Sequence, residues 1–130
     1  MPNTLIHLAL ASCHSLRKMD NIYGPAKLHC LDIRNCIGLE ELPCNETLVS
    51  LGALLASGCV RLKRIRGLAQ LTKLYKLNVP ACSELEELEG IQHCMSLWEL
   101  LAQECPKLQW DAAVVKQLSQ RMGRGFQIGS

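Results

Sequence analysis

The sequence is short of aromatic side chains. Two Trp, two Tyr and one Phe make up 4% of its 130 residues, so the core has to be aliphatic. It is equally short of net charge. Fourteen Lys and Arg against twelve Asp and Glu leave a formal +2, too little to argue for nucleic acid or an anionic membrane. There is no apolar run of the length a membrane-spanning helix needs. The stretch "LIHLALASC" (residues 5–13) ends, taken alone, like a bacterial lipoprotein signal with Cys13 as the anchor. The basic flank of a secretory signal is missing, however: "MPNT" carries no cation, and Arg17 is the first Lys or Arg. No G-x-x-x-x-G-K-[ST] phosphate loop, H-E-x-x-H or G-x-S-x-G motif is present. These absences lead us to expect neither an enzyme nor a cofactor.

Cysteine, by contrast, is plentiful. Eight cysteines in a small secreted chain would signal a disulfide framework, but their spacing signals something else. Cys13, Cys36, Cys59, Cys82 and Cys105 are each 23 residues apart, and Leu5, Leu28, Leu51, Leu74 and Leu97 keep the same period. Aligned on it, the copies read "LIHLALASCHSLRKM", "LHCLDIRNCIGLEEL", "LGALLASGCVRLKRI", "LYKLNVPACSELEEL" and "LWELLAQECPKLQWD". Every residue at offsets 0, 3, 5, 8 and 11 is apolar or Cys. The pattern breaks at the end of the fifth copy, where Asp111 replaces an apolar residue.

Physical chemistry accounts for the pattern. In x-L-x-L-x the two apolar residues share one face of a short strand. Equivalent strands stack in parallel about 4.8 Å apart. At offset 8 the chain turns inward, where a small side chain with a weak S–H donor fits near backbone carbonyls. Offsets 11 and 14 line the returning segment. Ile22, Leu68 and Ile91, then Pro25, Leu48, Leu71 and Cys94, complete the convex side. Gly67 and Gly90 share an offset suited to a tight turn. One coil cannot bury this surface, whereas a stack of five can.

The pattern L-x-x-L-x-[LIVA]-x-x-C-x-x-L resembles the leucine-rich repeat in its cysteine form, over about residues 2–111. The expected fold is an α/β solenoid of five 23-residue coils starting near 5, 28, 51, 74 and 97. A short parallel sheet lies on its concave side, a helix over 112–122 caps it, and 123–130 form a tail. In the helix Asp111 is the N-cap, Val114, Val115, Leu118 and Met122 share one face, and Gly123 is the stop. Trp110 packs at the junction. The strand of the first coil has no N-terminal neighbour. We therefore expect that end to be covered by further repeats, another domain or self-association, the chain being a fragment of something longer.

The ladder cysteines Cys13, Cys36, Cys59, Cys82 and Cys105 are expected to be structural core thiols. With Cys30, Cys44 and Cys94 they should form no disulfides, which suits a reducing, cytoplasmic setting. Zinc is the sharper alternative, suggested by His29-Cys30, His93-Cys94 and Cys13-His14. No C-x₂₋₄-C pair supports it, and no metal is expected. Charges also follow the period: Arg17-Lys18, Glu40-Glu41, Lys63-Arg64 and Glu86-Glu87 alternate in sign from coil to coil, as do Arg61, Glu84 and Lys107. A paired-carboxylate active site is one reading, and an exposed ion-pair ladder that disfavours slippage is the preferred one. The sequon Asn45-Glu46-Thr47 carries little weight.

The outward positions of the sheet, at offsets 2, 4, 6 and 7, are chemically varied where the inward ones are uniform. They include His7, Asp32, Arg34, Asn35, Leu55, Lys76, Asn78, Glu99, Leu101, Gln103 and Glu104, the candidate surface for a protein partner, with Leu55 and Leu101 as exposed apolar anchors. The 23-residue cysteine form, L-x-x-L-P at Leu39–Pro43, and the phrases "SLWELLAQECPKLQWD" and "LEELEGIQHCMSLWEL" resemble the C-terminal repeats of plant intracellular nucleotide-binding immune receptors. That resemblance implies a sensing region in disease resistance. The alternatives are the substrate-recognition repeats of a ubiquitin-ligase adaptor and a free-standing binding scaffold.

Overall fold

In a computed structural model the chain is described over residues 28–44 and 48–129, with the backbone of 7–9. Cys13, the Arg17-Lys18 pair, Ile22, Pro25 and the sequon lie outside the described residues, as does the His7 side chain.

Nine short strands and one helix are present among the described residues. Strands β1 (His7–Ala9), β2 (Cys30–Asp32), β4 (Ala53–Leu55), β6 (Lys76–Asn78) and β8 (Glu99–Gln103) pair in parallel. Their register steps by the sequence period, His7 opposite Cys30, Cys30 opposite Ala53, Ala53 opposite Lys76, and Lys76 opposite Glu99. Three-residue strands are too short to stand alone. Here β2, β4, β6 and β8 each send a leucine inward (Leu31, Leu54, Leu77 and Leu100), all fully buried. Burying such a side chain contributes about 1.5–3 kcal/mol. The arrangement is compatible with a solenoid.

The ladder of main-chain bonds continues past each strand. Asn35, Gly58, Ala81 and Glu104 donate their N–H to the carbonyls of Ser57, Pro80, Gln103 and Gly129, at 2.8, 2.9, 2.9 and 2.7 Å. All four are left-handed, with φ between 59° and 73°. One residue later stands the thiol. Cys59 donates to Ile33 O at 3.0 Å, Cys82 to Ala56 O at 3.1 Å and Cys105 to Val79 O at 3.0 Å. Each sulfur thus reaches the carbonyl 26 residues back, one strand over, in a stretch where the backbone has left the sheet. Cys94 does the same on the opposite side, donating to Leu68 O at 3.2 Å. The seven described cysteines are all free.

The returning segment forms a second parallel sheet of β3 (Glu41–Pro43), β5 (Arg64–Arg66) and β7 (Glu87–Leu88). Single 3-10 turns follow at Leu68–Gln70 and Ile91–His93, entered through Gly67 and Gly90 in left-handed conformation. Cys44 occupies the equivalent position before them and is buried. Leu42, Ile65 and Leu88 close the core from this side.

Helix α1 (Ala112–Met122) begins at Asp111, whose carboxylate accepts from Ala113 N at 2.8 Å, and ends at Gly123. Leu118 is fully buried, and Val114, Val115 and Met122 are partly buried against the same core. The residues after it, expected to be a tail, form a sixth strand of the main sheet. Strand β9 (Phe126–Gly129) runs parallel to β8, with Phe126 opposite Leu100 and Gln127 opposite Leu101. The reason is Phe126, the chain's one phenylalanine. It is buried and meets Trp110 edge-to-face, with centroids 5.5 Å apart. Gly125 lets the approach happen, because a Cβ there would collide with the carbonyl of Trp98.

Candidate functional site

The outward side chains of the main sheet stand in two columns. Cys30, Ala53, Lys76 and Glu99 form one, and Asp32, Leu55, Asn78, Leu101 and Gln127 form the other. Alternation along a strand puts both columns on the face opposite the leucine core.

The structure joins several of the sequence candidates. Lys76 Nζ lies 3.6 Å from Glu99 Oε2, and Asn78 Nδ2 donates to the same oxygen at 3.3 Å. Asp32, although outward-facing, is buried. It holds Arg34 through a bidentate pair at 2.8 and 2.7 Å and accepts from the Arg34 N–H at 3.2 Å. That carboxylate raises the Arg34 guanidinium pKa above its ordinary value, chiefly through the hydrogen bond. Burial, and after it the charge of Asp32, push the Cys30 thiol up.

Other candidates stand elsewhere. Asn35 and Glu104 occupy the left-handed turn after the strand, because the chain has already left the sheet at that offset. Leu55 and Leu101 are half-buried instead of exposed, since neighbours on parallel strands shield one another. Gln103 ends β8 half-buried, and His7 is placed by the backbone of β1 alone. Gln127 is a site residue that the sequence pattern does not single out, because it lies in "FQIG", past the last repeat. Its one signal is the period-two alternation of Phe126 and Ile128.

One atom on this face is anomalous. Asn78 Oδ1 is buried and has no hydrogen-bond partner. An orphaned buried acceptor costs about 1–3 kcal/mol. It sits in the column between Leu55 and Leu101, an acceptor framed by two apolar side chains.

The charge ladder lies along the turns that lead into the second sheet, with Arg64 at the start of β5. Arg64 and Glu86 approach to 3.9 Å, and Lys107 holds Glu84 at 2.9 Å. A cavity of about 510 Å³ beside it is lined by Arg64, Glu86, Glu87, Gln109, Trp110 and Asp111. It holds carboxylates and a guanidinium but no nucleophile with a base. Among the described residues no group of three or more His, Cys, Asp or Glu is placed to hold a metal ion, and no helix is long and apolar enough to cross a membrane.

Burial holds most of the thiols protonated, and Cys59, lowered by its contact with the Cys82 thiol, is the exception. Burial pushes Cys44 up to about 12 and Cys94 up to about 11. The same contact raises Cys82, and burial adds to the rise. Burial likewise raises Cys105. None of these is a thiolate ready for attack or ligation.

No family model matches the chain, and no curated protein matches it. Among solved structures the chain is similar to the functional domain of InlJ from Listeria monocytogenes, which includes a cysteine ladder. Identity is 12% and the TM-score 0.34, over 95% of this chain and 51% of that one. The chain thus spans about half the length of the structure it matches.

Proposed function

We propose that the chain is a recognition module of the leucine-rich-repeat kind, five 23-residue coils closed at one end by α1, which binds a protein partner on the concave face of its main sheet and catalyses no reaction. The observation that carries this is Asn78 Oδ1, an acceptor left unsatisfied between two half-buried leucines. A partner that donates one hydrogen bond there and covers Leu55 and Leu101 would recover the cost of that orphan and bury apolar surface together. Six strands about 4.8 Å apart make a face roughly 24 Å wide. That is a few hundred Å², against about 800 Å² per partner in a typical stable interface. Binding by this segment alone is therefore weak.

The plant immune-receptor sensing role rests on the likeness of "SLWELLAQECPKLQWD" and "LEELEGIQHCMSLWEL" to the repeats of those receptors, and we propose it as the finer assignment. A reducing, cytoplasmic setting is supported by the free thiols.

Peptide display against the immobilised chain tests the face. Leu101→Arg should weaken the selected binders about tenfold or more. Asn78→Leu should weaken them too; in the free chain it removes the orphaned acceptor and the Nδ2 bond to Glu99 together, so the two changes offset and the unfolding midpoint should move little. If binders ignore both substitutions, the assignment of this face is wrong.

A further inference from the structure

Aromatic residues are few in this chain, yet two of them stand in the open. Tyr75 and Trp98 occupy equivalent positions, immediately before β6 and β8. Their rings are stacked at 9° with centroids 5.9 Å apart, and the residues are 41% and 56% exposed. Gly52 holds the same position one repeat earlier, and a Cβ on it would come within 2.8 Å of the Tyr75 ring. The missing side chain is what lets Tyr75 lie over that backbone. Met95, 65% exposed, precedes Trp98 by three residues and extends the apolar surface. This flank is separate from the outward face of the sheet.

Its charge is one-sided. The segments that build it, 68–75, 90–98 and 112–129, contain no Asp or Glu. They do contain Lys73, Lys116, Arg121 and Arg124. The next residues, Lys76 and Glu99, belong to the sheet face and pair with each other. Lys73 is exposed two residues ahead of Tyr75, and Arg124 is exposed beside the glycine that lies against the Trp98 carbonyl. Arg121 Nη1 sits 3.3 Å from Met95 Sδ, while its Nη2 bonds Cys94 O at 2.8 Å.

We infer that this flank docks an acidic peptide segment of a protein partner, with an apolar anchor side chain seated on the Tyr75–Trp98 shelf and carboxylates paired with Lys73, Arg121 and Arg124. The open apolar area is on the order of 300 Å². That is small for a globular partner, which needs about 800 Å² a side, and adequate for one anchor residue. Single-stranded nucleic acid fits less well. It stacks successive bases on separate aromatic faces along a basic groove, and here the two rings are stacked on each other.

The test uses the full chain and three fluorescein-labelled probes: a short peptide of glutamates interrupted by Phe and Leu, its lysine-for-glutamate counterpart, and oligodeoxythymidine. Fluorescence anisotropy should show the glutamate peptide binding, more weakly as salt rises, and Trp98→Ala weakening it about tenfold or more. Lys73→Glu with Arg124→Glu changes only exposed charges, so it probes the flank without touching the core. It should abolish glutamate-peptide binding and favour the lysine peptide. The inference is overturned by no binding of the glutamate peptide, by equal binding of the lysine peptide, by tighter binding of oligodeoxythymidine, or by shelf-dependent self-association of the chain.

Discussion

Replacing Gly67 by Ala should cost far more than replacing Gly58 by Ala, although both residues are left-handed, with φ of 80° and 73°. The backbone penalty for an L-residue there is about 1–2 kcal/mol. Part of it is returned through the stiffer unfolded chain, about 0.4–1 kcal/mol. Gly58 should therefore lose about 1 kcal/mol, and the structure already tolerates Asn35, Ala81 and Glu104 at the equivalent place. The new Cβ at Gly58 would meet the side-chain oxygen of exposed Asn35, which can swing aside. At Gly67 it would lie 3.1 Å from the carbonyl carbon of Cys44 and closer still to its oxygen. Cys44 is 4% exposed and its own N–H is tied to Arg66 O at 2.7 Å, so that carbonyl has nowhere to go. Separating the two repeats locally adds an overpacking cost of about 1–3 kcal/mol. Urea unfolding should place Gly67→Ala about 2 kcal/mol or more below Gly58→Ala. Gly67→Asn should not rescue it, because Asn relieves the φ penalty and keeps the Cβ. Equal losses at the two sites would show that conformation alone, and not contact between repeats, sets the requirement for glycine.

Two further outcomes concern the thiols. Cys82→Ala removes a buried sulfur and strands Ala56 O, to which it donates at 3.1 Å, so it should cost about 2–3 kcal/mol. Cys105→Ala, at a half-buried rung, should cost less; equal unfolding midpoints for both variants and the parent would deny the ladder any structural role. The pH dependence has a definite sign. Cys44 and Cys94 are raised from 9.0 to about 12 and about 11. The stability they contribute is therefore fully present below pH 9 and is lost as pH rises through the folded values. A tenfold tighter hold on a proton in the folded chain corresponds to about 1.4 kcal/mol. Thermal melts should fall steeply above pH 9, and Cys94→Ala should flatten that fall; an unchanged slope would rule out the buried thiols as its cause.

How far the sequence reached depended on whether neighbouring repeats repeat the signal. The stacking of Leu31, Leu54, Leu77 and Leu100 was legible because each copy restates it, and so was the inward row of Cys36, Cys59, Cys82 and Cys105. The thiol's acceptor was not. The 26-residue reach to Ile33, Ala56 and Val79 depends on where the backbone leaves the sheet, and side-chain period is silent on that. The second sheet was hidden for a similar reason. Its strands alternate as Arg64-Ile65-Arg66 and Glu87-Leu88, and two or three residues of alternation cannot be told from a loop. On the outward face the uniform offsets misled. Offset 7 would share the inward face of offsets 3 and 5 in a flat strand, but here it is a left-handed turn, a fact that Gly58 hinted at and Glu104 concealed.

In the C-terminal segment the elements that stabilise the fold also build parts of both proposed surfaces. An exposed strand edge and an open apolar core are different problems, and one helix can cover only the second. Here α1 sets Leu118 into the core while Gly123 and Gly125 bend the chain back, and β9 then pairs with β8. Phe126 locks that return against Trp110. The same pairing sets Gln127 beside Leu101, so the element that covers the edge also forms the border of the outward face. Arg121 and Arg124, on the helix and its exit, supply cations to the aromatic flank. Loosening the Trp110–Phe126 contact would therefore do more than fray an end: it would release the border of one surface and the charge of the other together.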